Sequence, residues 1–334
     1  MKKRVVAWMM ATLMATFCMA GCGAKETAQN AGTTAQTKET ETTVDTKAEE
    51  TETTVDTQAA ETETVQEETD TDAAILVVSF GTSYNDSRDI TIGAIETAIA
   101  EAFPEYDVRR AFTSQIIIDI LKDREGLEID NVEEALDRAV ADGIKTLVVQ
   151  PTHLMNGFEY TDLVDALADY EDQFDEIAIA SPLLTDDADY DAVIDVITEK
   201  TASYDDGETA IVFMGHGTEA ESNVIYETLQ NKITAAGYEN YYIGTVEAEP
   251  SLDDVIAALK ENGNYKKVVL EPLMVVAGDH ANNDMAGDEE DSWKTILTNE
   301  GYEVECLIEG LGQIPAIQDI YVAHTKAAVD SLAE

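Results

Sequence analysis

The chain has 334 residues, and 69 Asp and Glu against 20 Lys and Arg give a formal net charge of −49. Binding to a phosphate backbone needs clustered cations, so this balance argues against nucleic acid as a partner. Three cysteines are too few for a disulfide framework.

Met1-Lys2-Lys3-Arg4 is basic, Val5 to Ala20 is apolar, and Gly21-Cys22 follows. That order describes an export signal whose apolar core is too short to span a bilayer comfortably. Cys22 after Met19-Ala20-Gly21 is similar to a bacterial lipobox, in which the cysteine is acylated, although that pattern prefers Leu where Met19 stands. The expectation is a signal over residues 1–22 and an extracytoplasmic lipoprotein, anchored to a membrane through lipidated Cys22. An ordinary cleaved signal is the plainer alternative. Cys18 leaves with the signal on either reading, and Cys306 falls in an apolar strand pattern that suits a buried, inert thiol.

Residues 23–72 are dominated by Thr, Glu, Ala and Asp, and the string TETTVDT at 40–46 recurs at 51–57. Such a composition cannot bury enough surface to offset its ordering entropy. It predicts a disordered acidic tether.

From residue 73 onward, apolar runs of strand length alternate with stretches of helical period. Strands are expected at 74–80, 145–152 and 176–180, then again at 209–215, 241–246, 267–276 and 302–308. Helical patterns lie at 90–103, 221–236, 252–262 and 292–300, and His324 falls in a further one near the C-terminus. Continuous apolar strands separated by helices indicate parallel α/β architecture with both sheet faces covered. The pattern restarts near residue 206, which divides the folded part into 73–205 and 206–334. Ser79-Phe80-Gly81-Thr82-Ser83 ends the first strand of one half as Gly215-His216-Gly217-Thr218-Glu219 ends that of the other, so Phe80 corresponds to His216. Pro151 and Pro272, Gly157 and Gly278, and Glu159 and His280 are each 121 residues apart. Two similar α/β halves facing one another would place these strand ends along one cleft.

Of the four histidines, His153, His216 and His280 follow predicted strands. A single histidine at a strand end is usually a packing group, but two in one half, each with glycine within two residues, point to a site. Gly215 and Gly217 leave room for something large, a flat macrocycle or an anion, to approach the His216 ring. Asp279 precedes His280 and can orient it or a neighbour. Glu247 follows the intervening strand, and two imidazoles with one carboxylate suit a first-row divalent ion. Glu249 competes for the same place. No phosphate loop, dinucleotide fingerprint or nucleophile elbow is present.

The strings Val77-Val-Ser-Phe-Gly-Thr-Ser-Tyr84, Arg110-Ala-Phe-Thr-Ser114, Asn156-Gly-Phe-Glu-Tyr160, Phe213-Met-Gly-His-Gly-Thr218, Val276-Ala-Gly-Asp-His-Ala-Asn-Asn-Asp-Met285 and Asp291-Ser-Trp-Lys294 closely resemble those of the anaerobic sirohydrochlorin cobaltochelatases. The resemblance runs from residue 74 to the end. It implies a class II chelatase fold of two Rossmann-like halves around a cleft, and insertion of Co2+ into a tetrapyrrole. It also implies His216 as base and metal ligand, His280 and Glu247 as further ligands, and Glu159 as a participant. Ni2+ or Fe2+ would suit the same donors. Arg110, and less so Arg109, could grip substrate carboxylates by forked hydrogen bonds. A surface-anchored protein that captures a tetrapyrrole or metal without catalysis is the rival reading, and a homo-oligomer is left open.

Overall fold

A computed structural model describes residues 71–263 and 265–333. The expected signal over 1–22, Cys22 and nearly all of the tether over 23–72 lie outside the described residues. Within them the order is β1 (Ala73–Ser79), α1 (Asn85–Ile90), α2 (Ile92–Ala102), β2 (Asp107–Phe112), α3 (Gln115–Glu125), α4 (Val132–Ala141), β3 (Thr146–Pro151), α5 (Phe158–Ala168), β4 (Glu176–Ile179) and α6 (Asp187–Thr201). The second series is β5 (Thr209–Gly215), α7 (Val224–Ala235), β6 (Tyr241–Thr245), α8 (Leu252–Asn262), β7 (Lys267–Pro272), α9 (Trp293–Asn299), β8 (Glu303–Cys306) and α10 (Pro315–Ser331).

The strands form two four-stranded parallel sheets, ordered β2-β1-β3-β4 and β6-β5-β7-β8. One order is the other translated along the chain. The α/β class with parallel sheets is therefore as the sequence indicated. The central strands β1 and β5 are buried along almost their whole length because helices cover both sheet faces. Strand β2 escaped the sequence reading because it is an edge strand, half-buried, and carries Asp107, Arg109 and Arg110. The long run 267–276 stops as a strand at Pro272, and the 90–103 pattern breaks at Thr91 into α1 and α2.

The halves are joined by an exchange of helices. Helix α10 packs on α2 and β3 of the first half, where the Tyr321 hydroxyl donates to the Thr152 carbonyl at 3.0 Å and the Thr325 hydroxyl to the side chain of buried Gln150 at 2.8 Å. Helix α6 packs on α7 of the second half. Its Thr201 hydroxyl donates to the Tyr241 hydroxyl at 3.0 Å, and Lys200 pairs with the fully buried Glu271 of β7. His324 bridges the two crossing helices, with Nε2 2.9 Å from Asp189 of α6 and Nδ1 3.2 Å from the Ser181 carbonyl, a structural role in line with its helical placement. One apolar core accordingly runs through both halves, from Ile75 and Ile95 to Phe213, Ile317 and Tyr321.

The segment after β1 also docks on the segment after β7. Ser87 accepts from the Ala277 amide at 3.0 Å, and the Tyr84 hydroxyl donates to Asp279 at 3.2 Å. The carboxyl ends of both sheets thus meet along one seam, where ligands of open α/β sheets bind.

Candidate metal centre

The side chains of His216, Glu247 and His280 come together there, each offering one ligand atom within 4.8 Å of the others. His216 directly follows β5. The β5–β6 ladder continues past both strands: the Val246 amide donates to the Gly215 carbonyl at 3.0 Å and the Glu247 amide to the His216 carbonyl at 2.9 Å. That pairing sets Glu247 beside the imidazole, with its carboxylate 3.8 Å from His216 Nδ1. His280 arrives from the loop after β7 and opens a π-helical turn, Ala281–Met285. Its ring meets that of His216 edge to face, with centroids 4.7 Å apart at 87°. His216 and Glu247 are about half exposed, so an ion and a large ligand can both reach them.

Hydrogen bonds choose which nitrogens are free. His216 Nδ1 lies 2.8 Å from the Gly217 carbonyl and His280 Nδ1 lies 2.6 Å from Asp284. Both partners are acceptors, so each Nδ1 carries the proton and each Nε2 presents its lone pair. Two imidazole nitrogens and one carboxylate leave coordination positions open for a first-row ion. Glu249, the competitor of Glu247, lies outside this cluster and accepts from the Ser251 amide at 3.0 Å, at the start of α8.

Glu159, in the first turn of α5, stands outside the three-residue cluster but close enough to feel His216. Burial pushes its carboxyl above the ordinary carboxylate range, and His216 opposes that push. Its nearest imidazole within the first half is His153, 4.0 Å away and too distant for a hydrogen bond. His153 is buried with neither ring nitrogen partnered, and burial pushes its pKa down to about 4. It is therefore neutral near pH 7 and apart from the metal cluster.

Three expectations need correction. The Cβ direction of Gly215 is filled by the Tyr226 ring, 2.2 Å from where that atom would sit, and that of Gly217 by Ala248 at 2.8 Å. These glycines admit Tyr226 and the turn after β6 against the backbone, so they do not open space above the imidazole. Gly217 also has φ of 85°, which favours glycine. Arg110 is not free to grip a substrate: Glu96 occupies its guanidinium fork, and the cation lies 5.9 Å from the Phe112 ring centroid. Arg109 is paired with Asp107 and Asp142, both at 2.7 Å.

Asp284 and Tyr84 went unassigned in the sequence, and the spacing of Asp284 four residues after His280 is the signal that could have exposed it. A hollow of about 1040 Å³ lies instead along the outer edge of β6 between α7 and α8 and includes none of the three cluster residues. Donor geometry is the better guide, because among the described residues the only convergent set of three such ligands is that of His216, Glu247 and His280.

Comparison with known proteins identifies the family. The family model described as cobalt chelatase (CbiK) matches residues 73–330. A sirohydrochlorin cobaltochelatase of Salmonella typhimurium is 38% identical over 261 residues, covering 78% of this chain and 98% of the relative. A sirohydrochlorin cobaltochelatase, CbiKC, of Nitratidesulfovibrio vulgaris is 32% identical over 267 residues, covering 78% and 92%. Among solved structures, SirB from Bacillus subtilis with Fe3+ superposes with a TM-score of 0.55 at 13% identity, covering 78% of this chain and 98% of that one. That likeness concerns the fold.

Proposed function

This chain belongs to the cobalt chelatase family, and from that premise we propose that it is a sirohydrochlorin cobaltochelatase, inserting Co2+ into the metal-free macrocycle. The convergence of His216, Glu247 and His280 on the seam between the sheets carries this reading. The reaction needs an ion held by fewer donors than the macrocycle offers. It also needs acceptors for the two pyrrole N–H protons that leave as the metal enters. Three protein donors against four ring nitrogens favour transfer. His216 Nε2 accepts one proton as it gives up the ion, and Glu159, whose carboxyl burial makes a better proton acceptor, takes the other. No covalent or redox step is required. The same N and O donors accept Ni2+ or Fe2+, so preference for Co2+ rests on the relatives.

The sequence of residues 1–22 supports an extracytoplasmic, membrane-anchored form with Cys22 lipidated. Labelled palmitate should enter the wild-type protein in cells and fail to enter Cys22→Ser; equal labelling would remove the anchor. Among the described residues, no helix is long and apolar enough to cross a membrane.

Mixing purified protein with Co2+ and metal-free sirohydrochlorin, and following the absorption spectrum, tests the function. Many turnovers per protein are expected. A stoichiometric spectral change that stops at one equivalent would instead identify a carrier.

A further inference from the structure

The two imidazoles of the metal cluster are held unequally. His280 Nδ1 is 2.6 Å from a carboxylate, Asp284, whereas His216 Nδ1 is 2.8 Å from a neutral carbonyl, Gly217. Charge-assisted hydrogen bonds are roughly twice as strong as neutral ones, and a carboxylate behind an imidazole both fixes the ring and strengthens the opposite nitrogen as a metal donor. The backbone around His280 is tied down as well. Asp279 accepts from Tyr84 across the seam at 3.2 Å and from Asn283 at 2.8 Å, while the Asn282 side chain donates to the Gly278 carbonyl at 2.7 Å. His280 itself leads into a π-helical turn, a rare backbone form frequent at functional sites. His216 is more exposed, at 49% of its side chain against 29% for His280, and Glu247 is too far from its Nδ1 to hold it.

Building on the chelatase reading, we propose that Asp284 is a positioning residue that makes His280 the anchoring ligand, and that His216 is the ligand released first when the ion passes to the macrocycle. The bond from the ion to His216 Nε2 breaks as one to a pyrrole nitrogen forms, and the pyrrole proton moves to the freed Nε2 lone pair. His280, backed by Asp284, keeps the ion in place until further ring nitrogens have bound. Glu159, the second proton acceptor, is close enough to feel His216.

Co2+ alone is the probe. Its visible d–d absorption is titrated into the wild-type protein and into Asp284→Asn, Asp284→Ala, His280→Ala and His216→Ala, with circular dichroism confirming the fold. Asp284→Ala should weaken Co2+ binding about 10–100-fold, Asp284→Asn less, and His280→Ala should cost more affinity than His216→Ala. Because Asp284→Asn keeps an acceptor in place, it carries the test if the alanine variant does not fold. In turnover assays, excess Co2+ should restore Asp284→Asn but not His216→Ala. Wild-type affinity in every Asp284 variant that folds, or a greater loss from His216→Ala than from His280→Ala, overturns the assignment. Wild-type affinity in all four variants would also bring down the metal-site reading on which it rests.

Discussion

The carboxyl ends of the two sheets share one topology and carry different chemistry. After β1 stands Phe80, nearly half exposed; after β5 stands His216. The first turn of α5 brings Glu159, while the matching place in the second half brings His280. His153 follows β3 and is buried, and its counterpart 121 residues later is Met274. The paired halves thus supply a duplicated frame on which a few positions decide function. The second half presents all three candidate ligands, and the first contributes a carboxylate and the segment, Ser87 and Tyr84, that closes the seam.

Substitutions at matched positions should expose this asymmetry. His216→Ala should lower the insertion rate about 10²–10⁴-fold, the range for a lost general base. Phe80→Ala, at the equivalent position, should leave Co2+ affinity unchanged; a large loss there would mean that the first half's edge also shapes the metal site.

The exchanged helices offer the next contrast. Lys200→Met leaves Glu271 buried inside the second sheet, where burial pushes its carboxyl up and Lys200 opposes that push. Removing one partner of a buried pair costs about 3–5 kcal/mol, measurable by urea unfolding. A loss under about 1 kcal/mol would show that the cross-half pair does not hold the halves together.

His153 separates the halves by pH. Its folded pKa of about 4 lies below the ordinary histidine value of 6.5, so the unfolded chain binds the proton first as pH falls. Stability from this group is full above the unfolded value and declines until pH passes the folded one. The expected loss is about 2 kcal/mol between pH 7 and 5. His153→Met, which copies the residue of the second half, should flatten that part of the unfolding profile. An unaltered slope would place the acid sensitivity elsewhere.

The smallest contrast lies between two glycines of the second half. Gly215→Ala drives a methyl group into the Tyr226 ring and should cost about 1–3 kcal/mol in thermal unfolding. Gly278→Ala meets Thr82 at 3.4 Å and Val276 at 3.9 Å, both ordinary contacts, and should change stability by less than about 0.5 kcal/mol. Equal effects would contradict the close approach of Tyr226 to the backbone.

Buried central strands announce themselves as apolar runs, so β1, β3, β5 and β7 were plain in the sequence, as was the repeat of Pro151 in Pro272. Strand β2 was not, because an edge strand with Arg109 and Arg110 follows no apolar pattern. The crossing of α6 and α10 was also hidden: which sheet a helix covers depends on the path of the chain, and hydrophobic period does not encode it. At the site, residue type and position at strand ends picked out His216, Glu247 and His280. The glycines flanking His216 were misread because sequence shows a missing side chain but not the neighbour, Tyr226, that takes its place. Arg110 was misread for the same reason, since Glu96 lies 14 residues away and meets it only in the folded chain.

Anomalous scattering at the cobalt edge, from crystals of the protein grown with Co2+, examines the ligand set itself. A single strong peak about 2.0–2.2 Å from His216 Nε2, His280 Nε2 and a Glu247 oxygen is expected, the range for a first-row ion with such donors. A protein that turns over sirohydrochlorin while its cobalt lies elsewhere on the acidic surface, away from both imidazoles, would contradict the assignment of metal binding to the second half's edge.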